Sequence, residues 1–551
     1  MTIYKSPFEP VTDPYIGGVY EFVFGPSNPN YDPNAVAIID GATGDKITYD
    51  QLSSLSLSFA SGYTTTGGLK RGDSILIFSP NSPLYVPLIF GGQAAGLIVS
   101  TANASYTATE LAHQIELATP GVILVGADLV DVAKEAAKMS GVDHKKLYVL
   151  PQAGGQMPKN LGGLRSYEEL KGSPKFKPVK FTEQQVKKDL AFLPFSSGTT
   201  GKAKGVMLSV YNITHCVQQT QKTKDLFDQK DIMLAVLPLS HIFGLIVTQI
   251  LTLWRGGTMV IVPKFDLPLV LDLIQKHKIT AACVVPPIAL GIAKHPIVDK
   301  YDLSSLRYML SGAAPLSADL QQAVAKRLKG KTAIVQGFGM SETTSVGTIP
   351  SLAVPVPPGS VGQLLSGIEA RLVKEDGKDA AEGEAGELWL RGPNIMLGYM
   401  RNEKATKETI TSDGWLMTGD VCERSKDGFY RIVERTKDLI KFKGFQVAPA
   451  EVEGVLLSAP FIADCAVIGV WSEDQATELP RAYIVPSPEH KDSKNLVADT
   501  VKWVEQRLAP HKRLRGGVVV LDVIPKSPSG KILRKELRVL AAKEDKGKAR
   551  L

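Results

Sequence analysis

The feature that most restricts this chain is a set of short, unbroken apolar runs separated by amphipathic stretches. The runs around Leu76-Ile77-Phe78, GVILVG (121–126) and AACVVPP (281–287) lack the polar alternate positions of a half-wetted strand. Such runs suit strands of a parallel sheet covered on both faces. Between them, segments such as 108–118 and 267–278 carry apolar residues at helical spacing. That order predicts an α/β fold with buried sheets flanked by helices. The 551 residues are too many for one core, so two or more domains are expected. VPVPPGS (354–360) reads as a loop between substructures. The character changes again near Arg435, where a charged, glycine-containing stretch precedes the strand ADCAVIGVW and a helix over about 493–508. The expected architecture is a large multi-subdomain N-terminal domain over 1–434, a hinge over 435–440 and a small mobile α+β C-terminal domain over 441–551.

Composition excludes several classes. Hydrophobic content of 44% and charged content of 22% are those of an ordinary globular protein. A formal charge of +7 spread over 551 residues is mild; it favours anionic small molecules and argues against a nucleic-acid partner. Cys216, Cys283, Cys422 and Cys465 form no CxxC pair, which disfavours a zinc site and fits a reducing compartment. No apolar window is long enough for a transmembrane segment; the nearest, 85–100, contains Pro87 and reads as a buried helix and turn. The first residues do not look like a signal peptide. The final Ala549-Arg550-Leu551 has the small-basic-Leu form of a peroxisomal address, so a peroxisomal import receptor is an expected partner; otherwise the chain would be cytoplasmic.

The strongest local signal is Phe195-Ser196-Ser197-Gly198-Thr199-Thr200-Gly201-Lys202-Ala203-Lys204-Gly205, which follows the strand-like DLAFLPF. Glycines let the backbone approach a ligand closely. Hydroxyls, loop N–H groups, Lys202 and Lys204 can all meet phosphate oxygens. The Gly-Lys-Ser/Thr ending of a Walker loop is missing. On residues alone, a phosphate loop and a polar surface turn fit equally well.

The segment SSGTTGKAKGV resembles the phosphate loop of the adenylate-forming superfamily, which includes acyl-CoA synthetases, 4-coumarate:CoA ligases, luciferases and peptide-synthetase adenylation domains. Further similar blocks follow in that superfamily's order: LPLSHIFGL (237–245), SGAAPLS (311–317), QGFGMSE (336–342), GELWLRGPNIMLGY (386–399), GWLMTGD (414–420), RTKDLIKFKGFQVAPAEVE (435–453) and PKSPSGKILRKEL (525–537). The spelling FKGFQVAPAEVE is nearest the 4-coumarate:CoA ligase and luciferase branch.

The resemblance implies a two-step reaction with ATP, Mg²⁺ and coenzyme A. A carboxylate and ATP give acyl-AMP and pyrophosphate; CoA then displaces AMP. It implies that the loop residues from Ser196 to Lys204 hold phosphates and that Glu342 binds Mg²⁺, a task suited to a hard oxygen ligand. Ser341 would contact the α-phosphate. Asp420 would accept from the ribose hydroxyls with Arg435 beside it. Gly312-Ala313-Ala314-Pro315 and Gln336-Gly337-Phe338-Gly339, with Met340, would line the adenine and acyl sites. Lys531 would offset the two anions that meet during adenylation. Lys441 and Gln446 would serve the second step, Lys437 would be the hinge, and Lys443-Gly444 would lie near the CoA entry. His241 would lie between the acyl pocket and the thiol tunnel. Without the resemblance each has a plainer reading: Glu342 a helix-start residue, Asp420 turn chemistry, Lys531 a solvated cation, the KFKG stretch an exposed basic hairpin, and His241 a satisfied core histidine.

The segments 242–245, 285–288 and 340–346 are mostly apolar and lack a cation for a second carboxylate. They point to an apolar acid: aryl, phenylpropanoid or medium-chain fatty. Glu342-Thr343-Thr344-Ser345 departs from the more apolar residues that often follow this Glu in coumarate ligases. A luciferase-type oxygenase, a carrier-directed adenylating enzyme and a non-catalytic binding protein are the alternatives. Nothing in the chain speaks for oxygen chemistry, and free CoA is the expected thiol acceptor, no carrier segment being recognised within these residues.

Overall fold

The apolar runs form fully covered strands: Ser74–Phe78, Val122–Gly126 and Ala281–Val284 are buried along their whole length. The structure, a computed structural model, describes all residues except 153, 154, 197–201, 224, 229, 436, 437, 444, 473, 474, 476, 528, 529 and 549–551, and the side chains of 446 and 545–548. The expected phosphate-loop residues Ser197 to Gly201, the hinge Lys437, Gly444 and the address 549–551 therefore lie outside the described residues.

One sheet runs in the order Phe195–Ser196, Lys204–Ser209, Leu190–Phe192, Ile98–Ala102, Ser74–Phe78, Val122–Gly126, Leu147–Leu150, Arg165–Ser166. Its strands from Leu190–Phe192 to Arg165–Ser166 are parallel. Phe195–Ser196 and Lys204–Ser209 form an antiparallel hairpin, which the short strand Gly398–Tyr399 extends. The stretch 85–100 splits into the wholly buried helix Tyr85–Ala94, a turn at Gly96 and the strand Ile98–Ala102.

A second sheet runs Ala333–Gln336, Tyr308–Ser311, Ala281–Val284, Ile232–Ala235, Thr258–Ile261, Val36–Asp40, Lys46–Thr48, parallel except at the last pair. The carboxyl ends of its strands lead into His241, Gly312 and the 337–342 turn. Ligands of open α/β sheets bind at such ends. A third sheet, Tyr4–Lys5, Glu369–Val373, Gly386–Arg391, Leu416–Arg424, Tyr430–Arg435, is antiparallel and carries Asp420 and Arg435.

Beyond Arg435 a separate unit begins. The hairpin Ile440–Phe442 and Phe445–Val447 leads to a three-stranded sheet of Ile462–Ser472, Thr477–Pro486 and Val518–Val520. The helices Pro449–Leu457, Leu496–Glu505 and Arg534–Lys548 complete it. The large apolar core reaches no further than Tyr430, while the two small cores draw on Ile440 to Ala541. Among the described residues no helix is long and apolar enough to cross a membrane.

Candidate active site

The site is organised by two antiparallel strands that place Asp420 opposite Arg435. Arg435 Nε donates to Asp420 Oδ1 at 3.1 Å. The other oxygen, Oδ2, is buried without a hydrogen-bond partner. Burial pushes the Asp420 carboxyl upward, and Arg435 and Lys531 oppose that shift. Gly419, just before it, has φ of 73° and donates its N–H to Glu387, which sets the bend that turns Asp420 inward.

Lys531 enters this cluster from the C-terminal unit. Gly530 precedes it with φ of 78°, and a Cβ there would lie 3.0 Å from Val285 of the N-terminal part. This left-handed, tightly packed position favours glycine. Burial pushes the Lys531 ammonium down to about 8, with Arg435 adding to the push while Asp420, Asp438 and Glu342 resist it. His241 is half-buried nearby. Burial, and then Lys531, pushes its imidazole down to about 4, so it is neutral at ordinary pH. Phe243 N–H donates to His241 Nδ1 at 3.3 Å, which leaves the proton on Nε2.

Glu342 lies in the buried turn Ser341–Thr343. The turn is tight: a Cβ on Gly339 would lie 1.6 Å from the Ser345 carbonyl, and Thr344 and Ser345 have φ of 51° and 85°. No residue with a side chain fits at Gly339. Phe338 bridges to Thr348, and Met340 N–H is capped by Thr343 Oγ1. The Gly312 to Pro315 loop passes close to Phe243, whose ring would lie 3.1 Å from a Cβ on Gly312. Gln336 supports that loop: its Oε1 accepts from Leu316 N–H at 2.7 Å and its Nε2 donates to the Leu316 carbonyl at 2.9 Å. Its side chain is thus committed to holding that loop.

At the phosphate loop, Ser196 and Lys204 face each other across the hairpin and Lys202 is exposed. Lys204 Nζ stands 3.9 Å from the centroid of the Tyr399 ring. Tyr399, to which the sequence assigns no role, donates its hydroxyl to Glu342 Oε1 at 2.8 Å. Its only sequence signal is its place at the end of GPNIMLGY.

Lys441 and Lys531 are placed differently. Lys441 is at the surface, 68% exposed and 3.7 Å from Glu375. It pairs with Gln446 across the small hairpin, and Lys443 lies at the turn with φ of 46°. The structure therefore assembles Asp420, Arg435, Glu342, His241 and Lys531, and leaves Lys441 and Lys443 outside.

A family model described as AMP-binding enzyme matches residues 27–400, and one described as AMP-binding enzyme C-terminal domain matches 451–531. The chain belongs to the AMP-binding enzyme family. The two spans of that family end at Met400 and Lys531, so they take in Glu342, Tyr399 and Lys531. Among its relatives, "Probable 4-coumarate--CoA ligase 2" of Dictyostelium discoideum is 39% identical over 518 residues, 92% of each chain. 4-Coumarate–CoA ligase 1 of Arabidopsis thaliana is 35% identical over 98% of this chain and 95% of its own. In fold, the ATP-bound MatB of Rhodopseudomonas palustris matches with a TM-score of 0.83 at 28% identity, over 95% of this chain and 98% of that one. Like these AMP-binding enzymes, this chain combines a large α/β part with a smaller C-terminal part, as its alternating pattern predicts.

Proposed function

We propose that this protein is an ATP-dependent carboxylic acid:CoA ligase that works through an acyl-adenylate. The observation that carries the reading is Lys531: a cation from the C-terminal unit stands half-buried among Arg435, Asp420, Glu342 and His241, contributed by the N-terminal part. A carboxylate and an α-phosphate repel each other, and a cation held between them offsets that repulsion. The relatives named as CoA ligases support the second half of the reaction.

In the first step an oxygen of the acid attacks the α-phosphorus, the α–β bridging bond breaks and pyrophosphate leaves. Asp420 Oδ2 supplies the buried acceptor that ribose hydroxyls require. Ser196, Lys202 and Lys204 flank the phosphates, and Ser341 faces the α-phosphate. Glu342 suits Mg²⁺, which takes one or two carboxylates with the rest from phosphate and water. When bound, Mg²⁺ would draw charge from the phosphate oxygens. In the second step the CoA sulfur forms the thioester bond and AMP leaves with the bridging oxygen. Lys441 and Lys443 lie on the small hairpin of the C-terminal unit, away from Lys531, with Gln446 paired to Lys441, so that unit would turn about Lys437 to bring them in. Neutral His241 would sit between acid and thiol.

The acyl wall is built from apolar segments that meet here: Phe243 against Gly312, and Val285 against Gly530. It suits an apolar aryl, phenylpropanoid or medium-chain acid. The test is a hydroxamate screen across a carboxylic-acid panel, followed by CoA-thioester detection. Hydroxamate without thioester would leave acid activation and remove the CoA step. The address Ala549-Arg550-Leu551 would send the enzyme to peroxisomes; a fluorescent protein bearing the last ten residues should become punctate and lose that pattern without the final three.

A further inference from the structure

The segment GPNIMLGY (392–399) takes no part in the steps outlined above, yet it ties together two elements that handle phosphate charge. On one side it grips the Glu342 turn. Asn394 Nδ2 donates to the carbonyls of Thr343 and Val346 at 2.9 and 2.7 Å, and Thr344 Oγ1 donates to the Asn394 carbonyl at 2.6 Å. Met396 N–H donates to the Glu342 carbonyl at 2.9 Å. On the other side it grips the strand that leaves the phosphate loop. Leu397 N–H donates to the Met207 carbonyl at 2.9 Å, and Met400 N–H to the Gly205 carbonyl at 2.8 Å.

Tyr399 stands where these two sets of bonds meet, opposite Val206. It and Glu342 are each 4% exposed. A tyrosine needed only for packing would be served by any acceptor for its hydroxyl. This one spends its O–H on a carboxylate 57 residues away in sequence, at 2.8 Å. The same ring carries Lys204 Nζ over its face at 3.9 Å. A cation above the ring draws density from the π system and makes the phenol a stronger donor. The chain Lys204–Tyr399–Glu342 thus runs from the phosphate loop to the acidic turn through one side chain.

We propose that Tyr399 is a positioning residue for adenylation: it pins Oε1 of Glu342 so that Oε2 is held for the Mg²⁺–nucleotide, and it registers Lys204 against that carboxylate. The inference rests on the reading of Glu342 as the metal carboxylate. A carboxylate with one oxygen fixed loses its freedom to turn, so less ordering remains when the metal arrives. Outer hydrogen bonds of this kind typically tune metal affinity by about 10–100-fold.

The experiment measures Mn²⁺ affinity by electron paramagnetic resonance in the presence of α,β-methylene-ATP, which cannot be adenylated. The proteins are the full chain, Tyr399→Phe, Glu342→Gln and the double variant. Tyr399→Phe should weaken Mn²⁺ by on the order of tenfold, and slow pyrophosphate release while the KM for the acid stays put. Because Tyr399 acts through Glu342, adding Tyr399→Phe to Glu342→Gln should cost nothing more. The double variant also separates this from a folding defect, which would worsen Glu342→Gln further. Unchanged Mn²⁺ affinity in Tyr399→Phe beside a weakened Glu342→Gln, or losses that multiply in the double variant, would overturn the role of Tyr399 alone. Unchanged affinity in Glu342→Gln would remove the metal reading, and this inference with it.

Discussion

Asp420 and Arg435 face each other across two antiparallel strands, and the contact uses only one of the two carboxylate oxygens. A buried acceptor left open is costly, which is why nearly all are paired in native proteins. Asp420→Ala should therefore weaken ATP by about 1–3 kcal/mol for each ribose hydroxyl that loses its acceptor. It should also lower the melting temperature, because Arg435 loses its hydrogen-bonded carboxylate, though Asp438 and Glu342 stay nearby. Calorimetric titration with ATP checks the first effect. Unchanged affinity would place the ribose elsewhere.

Lys531 and Lys441 should fail at different half-reactions. Lys531→Ala should slow pyrophosphate release by on the order of a hundredfold, the scale of losing one preorganised electrostatic contact, yet form thioester from supplied acyl-AMP and CoA. Lys441 is at the surface against Glu375, so Lys441→Ala should leave adenylation near normal and slow the transfer. Loss of the same half-reaction in both variants would replace a turning C-terminal unit with a single fixed site.

The pH profile of the first step follows from Lys531. Its ammonium is held down to about 8 in the free protein. If the charged form offsets the two anions as proposed, kcat/KM for pyrophosphate release should be flat below that value and fall as pH rises through it. Lys531→Arg should retain part of the rate and move the limb out of range, because a guanidinium stays charged. His241, at about 4, should add no limb between pH 6 and 9. A limb near 8 that survives in Lys531→Arg would assign the titration to another group.

A buried ion group holds the C-terminal unit against the strand that carries Arg435. Arg534 donates to both oxygens of Glu453 at 2.8 and 2.9 Å and lies 3.8 Å from Glu434, whose Oε2 accepts from Ala450 N–H. Arg534→Ala leaves two buried carboxylates uncompensated and should cost about 3–5 kcal/mol. Burial pushes Glu453 up to about 7, against Arg534. The folded state therefore holds a proton that the unfolded chain has released. The Glu453 contribution to stability is full below about pH 4.5 and is lost as pH rises through 7. Glu453→Gln should flatten that part of a melting profile, measured by calorimetry between pH 5 and 8.

Much of this was legible in residue order. Unbroken apolar runs of four or five residues are too short for a helix and mark covered strands, as Ser74–Phe78 and Ala281–Val284 do, whereas the longer run over Tyr85–Ala94 is a wholly buried helix. The helix expected over 493–508 appears as Leu496–Glu505, three residues shorter at each end. Asp420, Arg435, Glu342 and Lys531 were readable from local spelling, and the fold brings them together. Tyr399 was not readable. Its partner lies 57 residues upstream, and only the register of Gly398–Tyr399 on Lys204–Ser209 aims it there. Nor could spelling say which lysine stands in the site. That depends on how the C-terminal unit is seated, and both KFKG and SGK set a lysine beside a glycine.

The late position of Lys531 also sets a timetable for synthesis. It lies 96 residues beyond Arg435, and ribosomes add roughly 5–20 residues per second while domains fold as units. For about 5–20 s at those speeds, an N-terminal part that had already folded would lack the cation proposed to assist adenylation. On that proposal a nascent chain would not spend ATP on acids it cannot yet hand to CoA. Competence arrives only once the second unit has folded and seated Gly530 against Val285.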